Sequence, residues 1–219
     1  MDIYKNTVSE LLWEVLLKLM TLDELKTFRL VGGTSLSLLL GHRISVDIDL
    51  FTDAAYDSID FEKIDALFLN IFPYVEMGSG GNNSMGKTYF IGHSADDLVK
   101  VDLFYTDTFV FPIIEYNELR LSGLEEIVAM KLEVIGHGGR KKDFWDLHEM
   151  LEYFSIKEML YFYEQRYPYG YTKEILIKQL TNFAQADDDF NPICLMEKYW
   201  ELIKIDFEER TAAEFLKNY

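Results

Sequence analysis

One cysteine, Cys194, in 219 residues excludes a disulfide within the chain and sets the expectation of a reducing, cytoplasmic setting. No long apolar run is present: "LLWEVLLKLM" (11–20) carries Glu14 and Lys18 and is too short to cross a membrane, so an amphipathic helix and no membrane contact are expected. Nothing at the start reads as a secretory leader, and neither an internal repeat nor a low-complexity linker is found. His42, His93, His137 and His148 fall at no metal-binding spacing. Basic residues are scarce, with 21 Lys and Arg against 38 Asp and Glu, a net charge of −17. A protein that coats nucleic acid needs the opposite balance, because phosphate neutralisation supplies most non-specific affinity. Any nucleic-acid contact must therefore be local.

What is present is an ordinary globular composition, 49% hydrophobic and 27% charged, with ample material for a core. The pattern predicts helices over 5–21, 33–41 and 61–72 and strands over 27–31, 45–51 and 98–105. The turn-rich "GSGGNNSMG" (78–86) joins "YVEM" to "KTYFIGH" as a hairpin. From residue 123 the pattern is helical: 123–135, 141–153, 155–166, 172–185, 195–209 and a final short piece. Strands with interspersed helices, then helices alone, imply an α+β fold with an α/β core over 1–121 and a helical C-terminal part over 122–219.

Asp47 and Asp49 lie two apart in a predicted strand, so both leave one face, while Val46, Ile48 and Leu50 are expected to face a core. "KVDLF" (100–104) repeats the arrangement, with Lys100 and Asp102 on one side and Val101 and Leu103 on the other. If these strands are neighbours in register, three carboxylates converge, and a divalent cation such as Mg²⁺ relieves their repulsion. The alternative is a solvated strand face. "VGGTS" (31–35) places Gly32 and Gly33 between a strand and a helix start, an arrangement able to hold an anion on backbone N–H groups, with a hydroxyl from Thr34 or Ser35. It is neither a Walker A loop nor a dinucleotide fingerprint, and two glycines before a helix are often only a turn.

Lys131 falls inside the apolar face formed by Leu124, Ile127, Val128, Val134 and Ile135, away from Glu125, Glu126 and Glu133. Either its ammonium snorkels to water or it is held for an anionic ligand. On the second account its replacement by methionine leaves the fold at least as stable. Asp143 shares a helix side with Phe144, Leu147 and Leu151 and either complements that helix's N-terminus or serves a site. Arg43, Lys100, Lys131, Arg140, Lys141 and Lys142 gather in these segments of an otherwise acidic chain, as a phosphate-rich substrate would require. The tyrosine-rich "YFYEQRYPYGY" (161–171) is open to base stacking or to helix packing.

Taken in order, "GGTSLSLLLGHRISVDIDLF", "KVDLF" and "MKLEVIGHGGRKKDFWDL" resemble the sequential motifs of the AbiEii/AbiGii toxin family of nucleotidyltransferases, in the DNA polymerase β-like superfamily. The resemblance implies a nucleotidyltransferase-like mixed sheet with flanking helices, its cleft completed by the helical part. It implies Mg²⁺-dependent transfer of a nucleotide from an NTP, with one or two metal ions, to an acceptor such as a tRNA 3′ end or a protein. The implied setting is a prokaryotic toxin–antitoxin or abortive-infection system whose cognate antitoxin need not make direct contact. By motif, Gly33 and Thr34 belong to the glycine signature that meets the triphosphate, with Gly32, Ser35, Lys131 and Arg140 as further nucleotide-binding candidates. Asp47 and Asp49 are its metal pair, Asp102 its next acidic position, and Lys131 and Asp143 the pair of its later motif. Two other readings compete: a silent domain of the same fold that holds an NTP or a protein partner, and a phosphohydrolase, which gives the glycine-led helix no role.

Overall fold

The computed structural model describes the backbone of residues 2–216 and side chains up to Glu214. These residues fall into two units: those up to Leu39 with Ser45–Ser122, and Leu40–Ile44 with those from Gly123 onward.

The first unit is built on a mixed seven-stranded sheet. Its strands are β1 (Arg29–Leu30), β2 (Asp47–Thr52), β3 (Tyr74–Gly80), β4 (Gly86–Ser94), β5 (Asp97–Tyr105), β6 (Ile113–Tyr116) and β7 (Leu119–Ser122), in the order β3-β4-β5-β2-β1-β7-β6. The pairs β2–β5 and β1–β7 are parallel and the others antiparallel. Helices α1 (Glu10–Met20), α2 (Gly32–Leu40) and α3 (Phe61–Ile71) accompany it. Helix α1 begins where Ser9 Oγ accepts the Leu12 N–H at 3.1 Å, a cap that satisfies one otherwise unpaired amide. Its buried Leu12, Leu16 and Leu19 recur at helical spacing, and the helix packs across β2, β4, β5 and β7. Ile48, Leu50, Val101, Leu103 and Tyr89 are fully buried, and Tyr89 meets Phe68 of α3 at 4.9 Å.

The second unit is helical: α4 (Leu124–Gly136), α5 (Lys141–Met150), α6 (Ile156–Arg166), α7 (Lys173–Gln179) and α8 (Trp200–Leu216). Helix α4 packs against α5, α6 and α7, and is buried nearly all round. Even Glu126 is buried, ion-paired to the equally buried Arg166 of α6. A capping box starts α6, where Glu158 Oε2 accepts the Ser155 N–H at 2.8 Å and Ser155 Oγ accepts the Glu158 N–H. Segment 40–44 is stitched to 193–195 by Ile44 N–H to Ile193 O at 2.9 Å and Leu195 N–H to His42 O at 2.8 Å.

The fold is the α+β nucleotidyltransferase-like arrangement expected, with local corrections. Val46 is 66% exposed and precedes β2, so the inward set is Ile48 and Leu50 alone. Val134 is likewise exposed and does not join the apolar face of α4. Strands β6 and β7 form a hairpin the sequence pattern did not disclose, turning at Asn117 with φ of 52°. Helix α7 is shorter than 172–185, giving way to turns. Glu197 has φ of 51°, which no right-handed helix accommodates, so α8 starts at Trp200 and not at 195. The expected final short piece is the continuation of α8 as far as Leu216, and 217–219 lie outside the described residues. No helix among the described residues is long and apolar enough to cross a membrane.

Candidate active site

The sheet brings the sequence-predicted aspartates to one face. In the parallel β2–β5 pair Asp49 is opposite Asp102 and Asp47 opposite Lys100, while Ile48, Leu50, Val101 and Leu103 fill the buried side. Neighbouring strands lie ~4.8 Å apart, so these four polar side chains form the corners of a small square.

Within it Lys100 Nζ donates to Asp102 Oδ2 at 2.5 Å, and Thr88 of β4 donates to Asp102 Oδ1 at 2.7 Å. Both oxygens of Asp102 are thus engaged, one from within β5 and one from β4, which lies on the far side of β5 from β2. The three carboxylates share one face, as expected of neighbouring strands in register. Among the described residues no three His, Cys, Asp or Glu side chains are gathered so as to hold a metal ion as they stand. The Lys100 ammonium already serves these carboxylates as a counter-charge. Burial disfavours that ammonium, but its bond to Asp102 and the charges of Asp102, Asp47 and Asp49 outweigh burial and raise the Lys100 pKa. The donor chemistry fits Mg²⁺, which favours carboxylate oxygens and completes its shell with phosphate and water.

Gly32 opens α2 with φ of +65°, and a Cβ added there would lie 2.9 Å from Asp49 Oδ2. A side chain there would strain the left-handed backbone and push the carboxylate aside, so glycine suits the position. The first i→i−4 bond of α2 runs from Ser35 N–H to Val31 O at 3.5 Å. The amides of Gly32, Gly33 and Thr34 precede it and are the helix-start donors. The hydroxyls do not join them. Thr34 is buried with its Oγ1 bonded to Ser45 Oγ at 2.8 Å and to the Asp47 carbonyl, and buried Ser35 donates to Ser122 O at 3.2 Å. Inward hydroxyls pin the turn to its neighbours, which corrects the expectation that they face an anion.

The second unit gathers the later motif. Lys131 of α4 is only 7% exposed, so it does not snorkel; its Nζ lies 2.6 Å from Asp143 Oδ1 and 2.7 Å from Asp146 Oδ2. Asp143 complements the start of its helix as well as pairing with Lys131, since its Oδ2 accepts the Arg140 N–H at 2.9 Å, closing the start of α5. Asp146 is the residue the sequence reading missed. It is fully buried and receives Arg43 Nε at 2.6 Å, Arg43 Nη2 at 2.8 Å and His42 Nε2 at 2.8 Å. Facing a carboxylate, His42 Nε2 carries the proton. Burial raises the Asp146 pKa, but Lys131, Arg43 and His42 together hold it well below the usual carboxylate value. Burial likewise opposes the Lys131 ammonium, and Asp143 and Asp146 reverse that and raise its pKa. A clue lay in the spacing: Asp143 and Asp146, three apart, share a helix face.

The remaining basic candidates also hold internal acceptors. The Arg140 guanidinium lies on Asp189 at 3.0 and 3.1 Å, and Lys141 Nζ donates to Asp187 O at 3.2 Å. In the tyrosine-rich segment buried Tyr163 donates to Glu133 at 2.5 Å and accepts the Tyr171 N–H at 2.8 Å, which is packing; Tyr161 and Tyr169 are exposed.

Comparison with known proteins places this geometry in a lineage. The chain is 28% identical to an uncharacterized protein, aq_aa25, of Aquifex aeolicus over 94% of its own length and 96% of that protein. Its fold is similar to MenT4, a nucleotidyltransferase toxin from Mycobacterium tuberculosis, with a TM-score of 0.59 at 14% identity over 90% of this chain and 78% of that one. It is also similar to an antigenic nucleotidyltransferase-like protein from Paracoccidioides brasiliensis, with a TM-score of 0.51 at 21% identity over 81% of this chain and 88% of that one. Residues 14–217 match the family described as nucleotidyl transferase AbiEii toxin, type IV toxin–antitoxin system. With a glycine turn against the first of two facing strand aspartates and a family match over most of its length, the chain belongs to the AbiEii family of toxin nucleotidyltransferases and is itself a nucleotidyltransferase.

Proposed function

We propose that this nucleotidyltransferase moves a nucleotide from an NTP, with Mg²⁺, onto a tRNA 3′ end or a protein, as the toxin of a prokaryotic toxin–antitoxin or abortive-infection system. The cytoplasm is its setting, and a cognate antitoxin counters it with or without direct contact. The observation that carries the reading is the contact of Gly32 with Asp49, which sets a helix-start anion site against a face that also bears Asp47 and Asp102.

In this reading Asp47, Asp49 and Asp102 hold the metal, which when bound neutralises triphosphate charge and stabilises the attacking and leaving oxygens. The amides of Gly32, Gly33 and Thr34 orient the triphosphate, and the inward hydroxyls of Thr34 and Ser35 keep that turn rigid. Lys131 and Asp143 act in the same reaction, as the later motif implies; Arg140 binds nucleotide by exchanging Asp189 for phosphate. The protein supplies position and electrostatics more than covalent chemistry.

Incubation with each labelled NTP, Mg²⁺ and total RNA tests this. The expected result is label in RNA or in protein, abolished by Asp49→Asn without loss of melting temperature, because removing one of several clustered carboxylates relieves repulsion. Free phosphate as the sole product would mean a hydrolase, and retained NTP without product a silent binding domain.

A further inference from the structure

Lys100 has a partner and a position that the metal reading leaves unexplained. Its ammonium is 2.5 Å from Asp102 Oδ2 and Thr88 holds the other oxygen at 2.7 Å, so both oxygens of Asp102 are already engaged. Lys100 also stands opposite Asp47, so it occupies the same square that a metal ion must enter. An ion pair whose lysine side chain is 41% exposed contributes little to stability and is easily displaced. As a structural brace it is poor; as a removable counter-charge it is well placed.

Resting on the assignment of Asp47, Asp49 and Asp102 as metal ligands, we infer that Lys100 is an internal counter-cation gating metal loading. Without nucleotide it keeps Asp102 engaged, so the protein alone holds a divalent ion weakly. An arriving metal–NTP complex offers the ammonium phosphate oxygens in place of Asp102, and the freed carboxylate joins the other two. The exchange is between partners of like charge, which lets it proceed without leaving any group unpaired. It makes nucleotide arrival the condition for a complete metal site.

Equilibrium binding of Mn²⁺ to the full-length protein without nucleotide tests this, comparing wild type, Lys100→Met, Lys100→Gln, Lys100→Arg and Asp49→Asn. Removal of a positive charge next to a divalent ion should tighten Mn²⁺ binding roughly tenfold or more in Lys100→Met and Lys100→Gln. Lys100→Arg, which keeps the charge, should bind as wild type does. Mn²⁺ affinity no higher in Lys100→Met and Lys100→Gln than in wild type, while Asp49→Asn loses binding, overturns the gate and leaves the metal assignment standing. Unchanged binding in Asp49→Asn, or none in any of these proteins, removes the metal assignment and the gate with it.

Discussion

At the scale of residues, a buried ammonium shared by two carboxylates is a three-body arrangement, and removing its centre exposes the other two to each other. Asp146 would keep Arg43 and His42, but Asp143 would keep only the Arg140 N–H. Lys131→Met should therefore cost about 3 kcal/mol in urea unfolding, since breaking a buried pair strands a charge. Adding Asp143→Asn should return part of that loss; a single variant as stable as wild type would show the pair to be weak. This reverses the stability expected from the sequence. In turnover, Lys131→Ala should lower kcat/KM by a factor on the order of 10², and Lys131→Arg should not restore it, because a planar fork does not replace a point charge. The helical wheel showed Lys131 within an apolar face, which its burial bears out. It could not show the neighbours, because Arg43 and Asp146 are 103 positions apart in sequence and meet only through the packing of segment 40–44.

At the scale of elements, alternation made β2 and β5 legible, and their register aligns the aliphatics that both strands bury, Ile48 with Val101 and Leu50 with Leu103. The strand expected over 27–31 is present as the two-residue β1, whereas the β6–β7 hairpin was not legible, because two four-residue strands carry too few alternations to stand out from loop. The glycine turn was read as an anion site, but its contact with Asp49 is a tertiary fact. Gly32→Ala should impose about 1–2 kcal/mol of left-handed strain and push against the Asp49 carboxylate. The expected outcome is a modest fall in melting temperature with a much larger fall in NTP turnover; equal turnover would detach the turn from catalysis. Between α5 and α8, His148 donates through Nε2 to Asp206 at 2.9 Å and accepts Lys198 at Nδ1 at 2.9 Å, with Glu149 and Arg210 also near. Burial, then Lys198, holds the His148 pKa below its usual value despite Asp206. A depressed histidine means the unfolded state binds more protons, so its contribution is complete above about pH 6.5 and is lost as pH falls. Melting temperature should drop between about pH 7 and 5, and His148→Gln should flatten that slope. The carboxylates held low, Asp146 among them, act only at lower pH and leave this window clear.

At the scale of the whole molecule, a net charge of −17 acts on every anionic reactant before any contact forms. An NTP accompanied by Mg²⁺ has about half its charge neutralised and is held by local groups, so salt weakens its binding by screening those groups. A tRNA acceptor carries many phosphates and meets the whole repulsive field, so salt should help it approach. The Debye length shrinks from roughly 30 Å at 0.01 M to about 8 Å at 0.15 M, which removes long-range repulsion while leaving close contacts partly intact. For an RNA acceptor, kcat/KM should therefore rise over that range while the KM for NTP rises too. For a basic protein acceptor, attraction replaces repulsion and kcat/KM should fall. Bulk duplex DNA should not be retained at about 0.15 M salt in either case. Measuring all three dependences on one preparation identifies the acceptor class from its charge alone, and tight, sequence-indifferent DNA binding at that salt would contradict the local character of the phosphate site.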